Sequence, residues 1–305
     1  MFSLLTSNRS FDDPWIGNPA WVERGLHGAR MKAAERCAAF RRWQVSWRRN
    51  SHAERFGRDG YLVLSDFLPP AQFERLLAEV TRKVGEAERS DPPEQNMKPG
   101  FQPQCQRPWG YDRFDGGTLN RFIRSDPGLT PEVLKFARDG RIANLARLIV
   151  GLPGNPANVR IYQTINGDET VNHDIQKDFH RDTFFSSMKY WFFLQDVEED
   201  DGPFVFVPQS HRLDRKRLLW ENAKAREAVE AKLTFGSAKG GAFRILEGEI
   251  AELGLPAPQS LTVRANTLVI ADTLGFHRRG DAKPGTRRLS LYSSLRPMPF
   301  LPIGL

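Results

Sequence analysis

Cysteine is almost missing from this chain: its 305 residues carry only Cys37 and Cys105, with no Cys-x-x-Cys pair. That excludes a disulfide framework, a zinc ribbon and a dithiol redox motif. Long apolar runs are missing too. No stretch approaches the roughly 18 residues that a membrane-spanning helix needs. The opening Met1-Phe2-Ser3-Leu4-Leu5-Thr6-Ser7 is too short an apolar run for a secretory signal and has no basic start. A cytoplasmic protein without a membrane span is the expectation. No internal repeat or low-complexity segment is present, which excludes solenoids and repeat arrays. No Lys/Arg run interleaved with aromatics offers a nucleic-acid platform. The glycines from Gly236 to Gly241 lack the spacing of a phosphate loop.

What the chain does have is length, positive charge and two contrasting halves. At this length it can bury a sizeable core in one large domain. Lys and Arg number 44 against 37 Asp and Glu, a net charge of +7. That balance favours anionic partners: a phosphorylated or carboxylated substrate, a CoA-like thioester, nucleic acid or an acidic membrane surface. Residues 1–55 read as an N-terminal helical extension, with a basic helix over Arg30 to Arg49. Phe56 to Phe67 reads as a strand. Ala71 to Ala87 reads as a helix, with Leu76, Leu77, Val80 and Val84 at helical spacing. Glu88 to Gly110 is polar and Pro-rich, which predicts a loop. Thr130 to Val150 reads as one helix, stopped by Gly151.

From Asn158 onward short strands dominate: 159–165, 176–185, 189–197, 203–208, 261–263, 267–272 and 288–294. A helical insertion rich in Arg, Lys and Glu interrupts them over about 213–233. Helices first, then many short strands with Gly, Pro and Asp turns, predict an α+β chain with an antiparallel barrel or jelly roll. One domain over 56–305 is expected.

The chemistry centres on His180-Arg181-Asp182. In a strand, residues two apart share a face. His180 and Asp182 would then aim an imidazole and a carboxylate into one space, with Arg181 turned away. That is two-thirds of a 2-His-1-carboxylate facial triad, which leaves open positions on Fe(II). A His-x-Asp recurs by chance, so a third ligand is needed. His277 ends the apolar run from Leu268 and supplies a candidate. Arg288 follows it by 11 residues, and Ser290 shares the strand face of Arg288. An Arg fork beside a hydroxyl suits a carboxylate. His-Arg-Asp is also the kinase catalytic-loop trio, but the Asn at the required place, the Gly-rich loop and the Asp-Phe-Gly are all missing.

Two further stretches complete a pattern. They are Phe56-Gly57-Arg58-Asp59-Gly60-Tyr61-Leu62-Val63-Leu64-Ser65-Asp66-Phe67-Leu68 and Asp201-Gly202-Pro203-Phe204-Val205-Phe206-Val207-Pro208-Gln209-Ser210-His211. With these and the spacing above, the chain resembles the Fe(II)/2-oxoglutarate dioxygenases of the phytanoyl-CoA dioxygenase-like group, over roughly Phe56 to Ser293. The resemblance implies a double-stranded β-helix core (jelly roll, cupin-like) with N-terminal and flanking helices. It implies His180, Asp182 and His277 as the catalytic Fe(II) ligands. It implies 2-oxoglutarate as cosubstrate, its far carboxylate held by Arg288 with help from Ser290. Arg287 is the rival to Arg288, since the two face opposite sides of the strand.

By the same resemblance Trp191 lines the cosubstrate pocket. Gln163, on the strand before the His-x-Asp, is the further candidate donor to the cosubstrate. The implied reaction takes O2 and hydroxylates an unactivated C–H bond of a small or lipid-like substrate, releasing succinate and CO2. Asp182 stands where halogenases of the superfamily have Ala or Gly, which argues for hydroxylation. The loop after His277 departs from the family, lacking its usual Asn, and Gln209 stands where Gly is usual. Arg278, Arg279 and Lys283 beside His277 point to an anionic substrate. Two alternatives are a non-catalytic, cupin-like metal-binding barrel and a protein side-chain hydroxylase on the same scaffold. Substrate identity and oligomeric state stay open.

Overall fold

The computed structural model describes residues 2–45, 51–92, 102–152, 158–168, 173–237 and 242–303. Its helices are α1 (Pro19–Glu23), α2 (Leu26–Val45), α3 (Ser51–Asp59), α4 (Pro70–Ser90), α5 (Pro131–Ala137), α6 (Gly140–Val150), α7 (Arg215–Phe235) and α8 (Glu247–Glu252). The strands are β1 (Tyr61–Leu64), β2 (Gln102–Arg107), β3 (Gly110–Asp115), β4 (Thr118–Arg124), β5 (Arg160–Ile165) and β6 (Met188–Phe193). They continue with β7 (Phe204–Phe206), β8 (Gln259–Leu261), β9 (Thr267–Asp272), β10 (His277–Arg279) and β11 (Arg287–Leu295).

Two antiparallel sheets form the core. The larger runs β1-β9-β6-β11-β5-β4-β3-β2, the smaller β10-β7-β8. Together they make the double-stranded β-helix, with helices on the outer face of the large sheet. That outer face packs Leu62, Ile161, Phe192, Ile270 and Leu291 against Leu76 and Val80 of α4 and Ile142 and Ile149 of α6. The inner face packs Trp191, Phe193 and Val269 against Phe204 and Phe206 of the small sheet. Strand β9 is therefore buried on both sides, which explains its unbroken apolar run. Strand β11 alternates instead. Leu289 and Leu291 go to the helices, while Arg288 and Tyr292 go to the space between the sheets.

The structure corrects several boundaries. Phe56 to Phe67 is not one strand: α3 ends at Gly60, whose φ of 86° only glycine adopts easily, and β1 starts after it. The helix expected over Thr130 to Val150 is two, because Asp139 caps a new start by accepting from the Arg141 amide at 2.8 Å. The loop expected over Glu88 to Gly110 holds β2; residues 93–101 of it lie outside the described residues. β3 and β4 join through Gly116-Gly117, a two-residue hairpin. The sequence disguised that hairpin as a polar stretch because Arg121 and Asp112, both fully buried, neutralise each other across it at 2.9 Å.

The N-terminal residues pack onto the sheet domain. Met31 and Ala34 of α2 join Phe184, Leu218 and Leu274 in one cluster. The buried Arg41 donates to the Val150 carbonyl at the end of α6.

Candidate metal centre

The His-x-Asp segment is extended but is not a regular strand. A short 3-10 turn (Ile175–Lys177) precedes it, and His180 makes isolated bridges to His277 and to Arg244. The side-chain alternation survives, because single backbone bonds fix each residue. His180 and His277 exchange both amide bonds, at 3.0 and 2.9 Å, and Asp182 donates to the Thr273 carbonyl at 2.9 Å. Directly opposed residues send their side chains to one face, and the two imidazole centroids are 4.6 Å apart. Asp182 adds its carboxylate 3.9 Å from His180 Nε2 and 3.8 Å from His277 Nε2. The three ligand atoms all lie within 4.8 Å of one another. A single ion with ordinary metal–ligand distances of about 2 Å can reach all three.

Each imidazole is held by its other nitrogen. His180 Nδ1 lies 2.7 Å from the Asp178 carbonyl, and His277 Nδ1 lies 2.9 Å from the Gly275 carbonyl. A carbonyl accepts only, so Nδ1 carries the proton and Nε2 turns its lone pair inward. Burial pushes the His277 imidazole down to about 3, helped by His180 and opposed by Asp182. Burial lowers His180 in the same way. For Asp182 burial favours the neutral acid, but Lys189, 2.5 Å away, and the two imidazoles outweigh it and hold the carboxyl well below its usual range. The set is two neutral imidazoles and one carboxylate, which suits a divalent transition metal such as Fe(II).

Arg181 points the other way, into a buried ion cluster. Its guanidinium donates to both oxygens of Glu221 on α7, at 2.7 and 2.8 Å. Glu221 also accepts from Arg217 at 3.0 and 3.2 Å and meets His27 Nε2 of α2 at 3.0 Å. None of the four side chains is more than 4 % exposed. The cluster ties the segment between His180 and Asp182 to both α2 and α7. The sequence pattern gave no sign of it.

A cavity of about 1050 Å³ opens over the triad, between the sheets and under α7. Trp191 and Arg288 line it, with Tyr162, Lys189 and Tyr292. Arg288 is buried, donates to the Gly202 carbonyl, and leaves its Nε without a partner. The Oγ of Ser290, buried on the same strand face, is likewise without one. Arg287 lies on the opposite face and pairs with Glu88 at 2.8 Å.

Gln163 does not reach the cavity: it shares the helix-covered face of β5 with Ile161 and donates to Glu88 at 2.9 Å. Its neighbour Tyr162 faces the cavity instead, bonded to Asn120 at 2.6 Å. Of the cations after His277, Arg278 and Arg279 line the cavity. Arg279 is already neutralised by Asp174, and Lys283 pairs with Asp200 away from it.

No curated protein sequence matches the chain. Solved structures resemble it at low identity. The non-heme alpha ketoglutarate dependent epimerase SnoN from nogalamycin biosynthesis is 18% identical, over 79% of each chain, with a TM-score of 0.43. HygX from Streptomyces hygroscopicus, with nickel and 2-oxoglutarate bound, is 17% identical over 81% of this chain and 87% of its own, TM-score 0.42. EctD from S. alaskensis, with bound Fe, is 17% identical over 82% and 78%, TM-score 0.45. The family model described as Phytanoyl-CoA dioxygenase (PhyH) matches residues 56–238. That is more than half of the chain, which therefore belongs to the phytanoyl-CoA dioxygenase family of Fe(II)- and 2-oxoglutarate-dependent oxygenases.

Proposed function

We propose that the protein hydroxylates an unactivated C–H bond of an anionic small molecule. His180, Asp182 and His277 hold Fe(II), and Arg288 with Ser290 holds 2-oxoglutarate. The observation that carries this reading is the convergence, in one cavity, of a closely spaced His-Asp-His set and a buried guanidinium with an unpartnered Nε, with the buried, unpartnered Ser290 hydroxyl on the same strand face. Such groups are costly to bury alone and suit a carboxylate.

The chain's own part is positioning. The carbonyls of Asp178 and Gly275 fix both imidazole tautomers. The Trp191 and Phe204 rings, 4.5 Å apart, wall the site and restrict water. Tyr162 stands beside Arg288 and orders that end of the cavity. Iron, when bound, supplies dioxygen activation coupled to oxidative decarboxylation of 2-oxoglutarate to succinate and CO2. An acidic residue at position 182 leaves no room for halide, which favours hydroxylation. The Arg288–Ser290 pair also weighs against a non-catalytic metal-binding barrel, which needs no carboxylate clamp.

The test is a Mn(II) titration followed by electron paramagnetic resonance, with and without 2-oxoglutarate. Wild type should bind one ion, and the Ala variants of His180, Asp182 and His277 should each lose it. Full Mn(II) affinity in any of the three would overturn the ligand assignment.

A further inference from the structure

The cavity is strongly cationic: among its lining side chains Lys and Arg outnumber Asp and Glu by nine to three. Most of that charge is already answered. Arg113 pairs with Asp115 at 2.6 Å, Arg279 with Asp174, and Arg244 with Asp178 at 3.2 Å. Lys224 meets Glu227 and Glu249, each at 3.2 Å, and Lys189 meets Asp182. Arg278 lies 3.6 Å from Asp281 and covers the Phe179 ring. Arg288 is the clamp proposed above. Two guanidinium groups remain, Arg9 and Arg296. Neither has a hydrogen-bond or ion-pair partner among the described residues.

Arg9 is placed deliberately. The buried Arg30 of α2 donates to the carbonyls of Leu4 at 3.0 Å, Thr6 at 3.1 Å and Asn8 at 2.9 Å, and its guanidinium lies 4.3 Å from the Phe184 ring centroid. The N-terminal segment is thus strapped down up to the residue before Arg9, whose Nη1 is buried and unpartnered. Arg9 interacts electrostatically with Asp182 and Arg296, and Lys189 with Arg296. All four side chains line the same cavity, Arg9 half-buried and Arg296 exposed. The Asp182 carboxylate is already taken by Lys189, so the two guanidinium groups still repel each other, and a buried, unpartnered Nη1 on Arg9 is unfavourable unless an anion arrives.

We propose that Arg9 and Arg296 form an oxyanion subsite that holds the carboxylate, sulfate or phosphate group of the organic substrate beside Asp182. The rest of the substrate lies along Ala228, Ala231 and Phe243, the apolar wall of the same cavity. This assignment rests on the iron and 2-oxoglutarate reading only for which part of the cavity is left to the substrate. The N-terminal segment then supplies a specificity-determining residue, although it precedes the stretch matched by the family.

Inorganic sulfate is the probe. Protein loaded with Ni(II) and saturating 2-oxoglutarate, so that Arg288 is occupied, is dialysed against radiolabelled sulfate at constant ionic strength. One saturable site is expected. Arg9→Gln and Arg296→Gln should each weaken it about tenfold, with Arg9→Lys retaining most of the affinity and the melting temperatures unchanged. Absence of a saturable site, or wild-type affinity in both Gln variants, would overturn the subsite. If 2-oxoglutarate itself fails to bind, the proposed function fails instead. The subsite is then decided by the same dialysis on Arg288→Gln protein without cosubstrate, with and without Arg9→Gln.

Discussion

Glu221 is the most exposed point of the account, although no water touches it. Its carboxylate is fully buried and accepts from Arg181 and Arg217 while meeting His27. Glu221→Ala deletes one anion and strands two buried guanidinium groups. Breaking a buried pair from one side costs about 3–5 kcal/mol, and here two pairs share the lost partner. The expected loss lies at or above that range, a large share of the roughly 5–15 kcal/mol that stabilises an ordinary domain.

Glu227→Ala on the same helix is the control. Glu227 meets Lys224 at the surface, with its own side chain 61% exposed, so its loss should be within about 1 kcal/mol. Urea unfolding at pH 7.5, followed by circular dichroism and tryptophan fluorescence, measures both. A second readout separates positioning from stability alone. Because Arg181 sits between His180 and Asp182, Mn(II) affinity of the folded Glu221→Ala protein should fall about 10–100-fold. A stability loss below about 1 kcal/mol with unchanged metal affinity would refute the reasoning.

Arg288→Gln should weaken 2-oxoglutarate binding about 100-fold or more, while Arg287→Gln should leave it within about twofold; calorimetric titration distinguishes them. Gln163→Ala should leave cosubstrate affinity unchanged in the same titration, since Gln163 donates to Glu88 on the helix-covered face of β5. Gly275→Ala should destabilise by about 1–3 kcal/mol in urea unfolding and disturb His277, because a Cβ there would sit 2.4 Å from the Phe206 ring. Apo-protein stability should fall as pH drops below about 6.5. Burial holds His27 below its ordinary value and His211 at about 4, so the unfolded chain takes up protons first between those limits. A melting temperature flat from pH 7 to 5 would contradict this.

The spacing of His180, Asp182, His277, Arg288 and Ser290 was legible because it depends on local alternation and on order along the chain. Even though the His-x-Asp segment lacks a ladder, single bridges impose the same alternation. Arg288 could be preferred to Arg287 for the same reason. Gln163 points away from the cavity by parity: it shares its side of β5 with Ile161, which packs against the helices, and Tyr162 is the inward residue. The hairpin of β3 and β4 hid behind its charges, which pair only when the fold is present. Arg9 and Glu221 were invisible for a deeper reason. Two of the partners of Glu221, Arg181 and His27, lie far away in sequence, the cavity lining that Arg9 joins comes from distant elements, and nothing local distinguishes such residues from solvated ones.

The central claim is that one cavity holds Fe(II) at the triad and 2-oxoglutarate at Arg288. It is tested most directly by an anaerobic titration with both, monitoring the visible metal-to-ligand charge-transfer band in wild type, Asp182→Ala and Arg288→Ala. The account predicts a band in wild type, its loss in Asp182→Ala, and its displacement to much higher 2-oxoglutarate concentration in Arg288→Ala. Iron bound by wild type with no band at any cosubstrate concentration would contradict it.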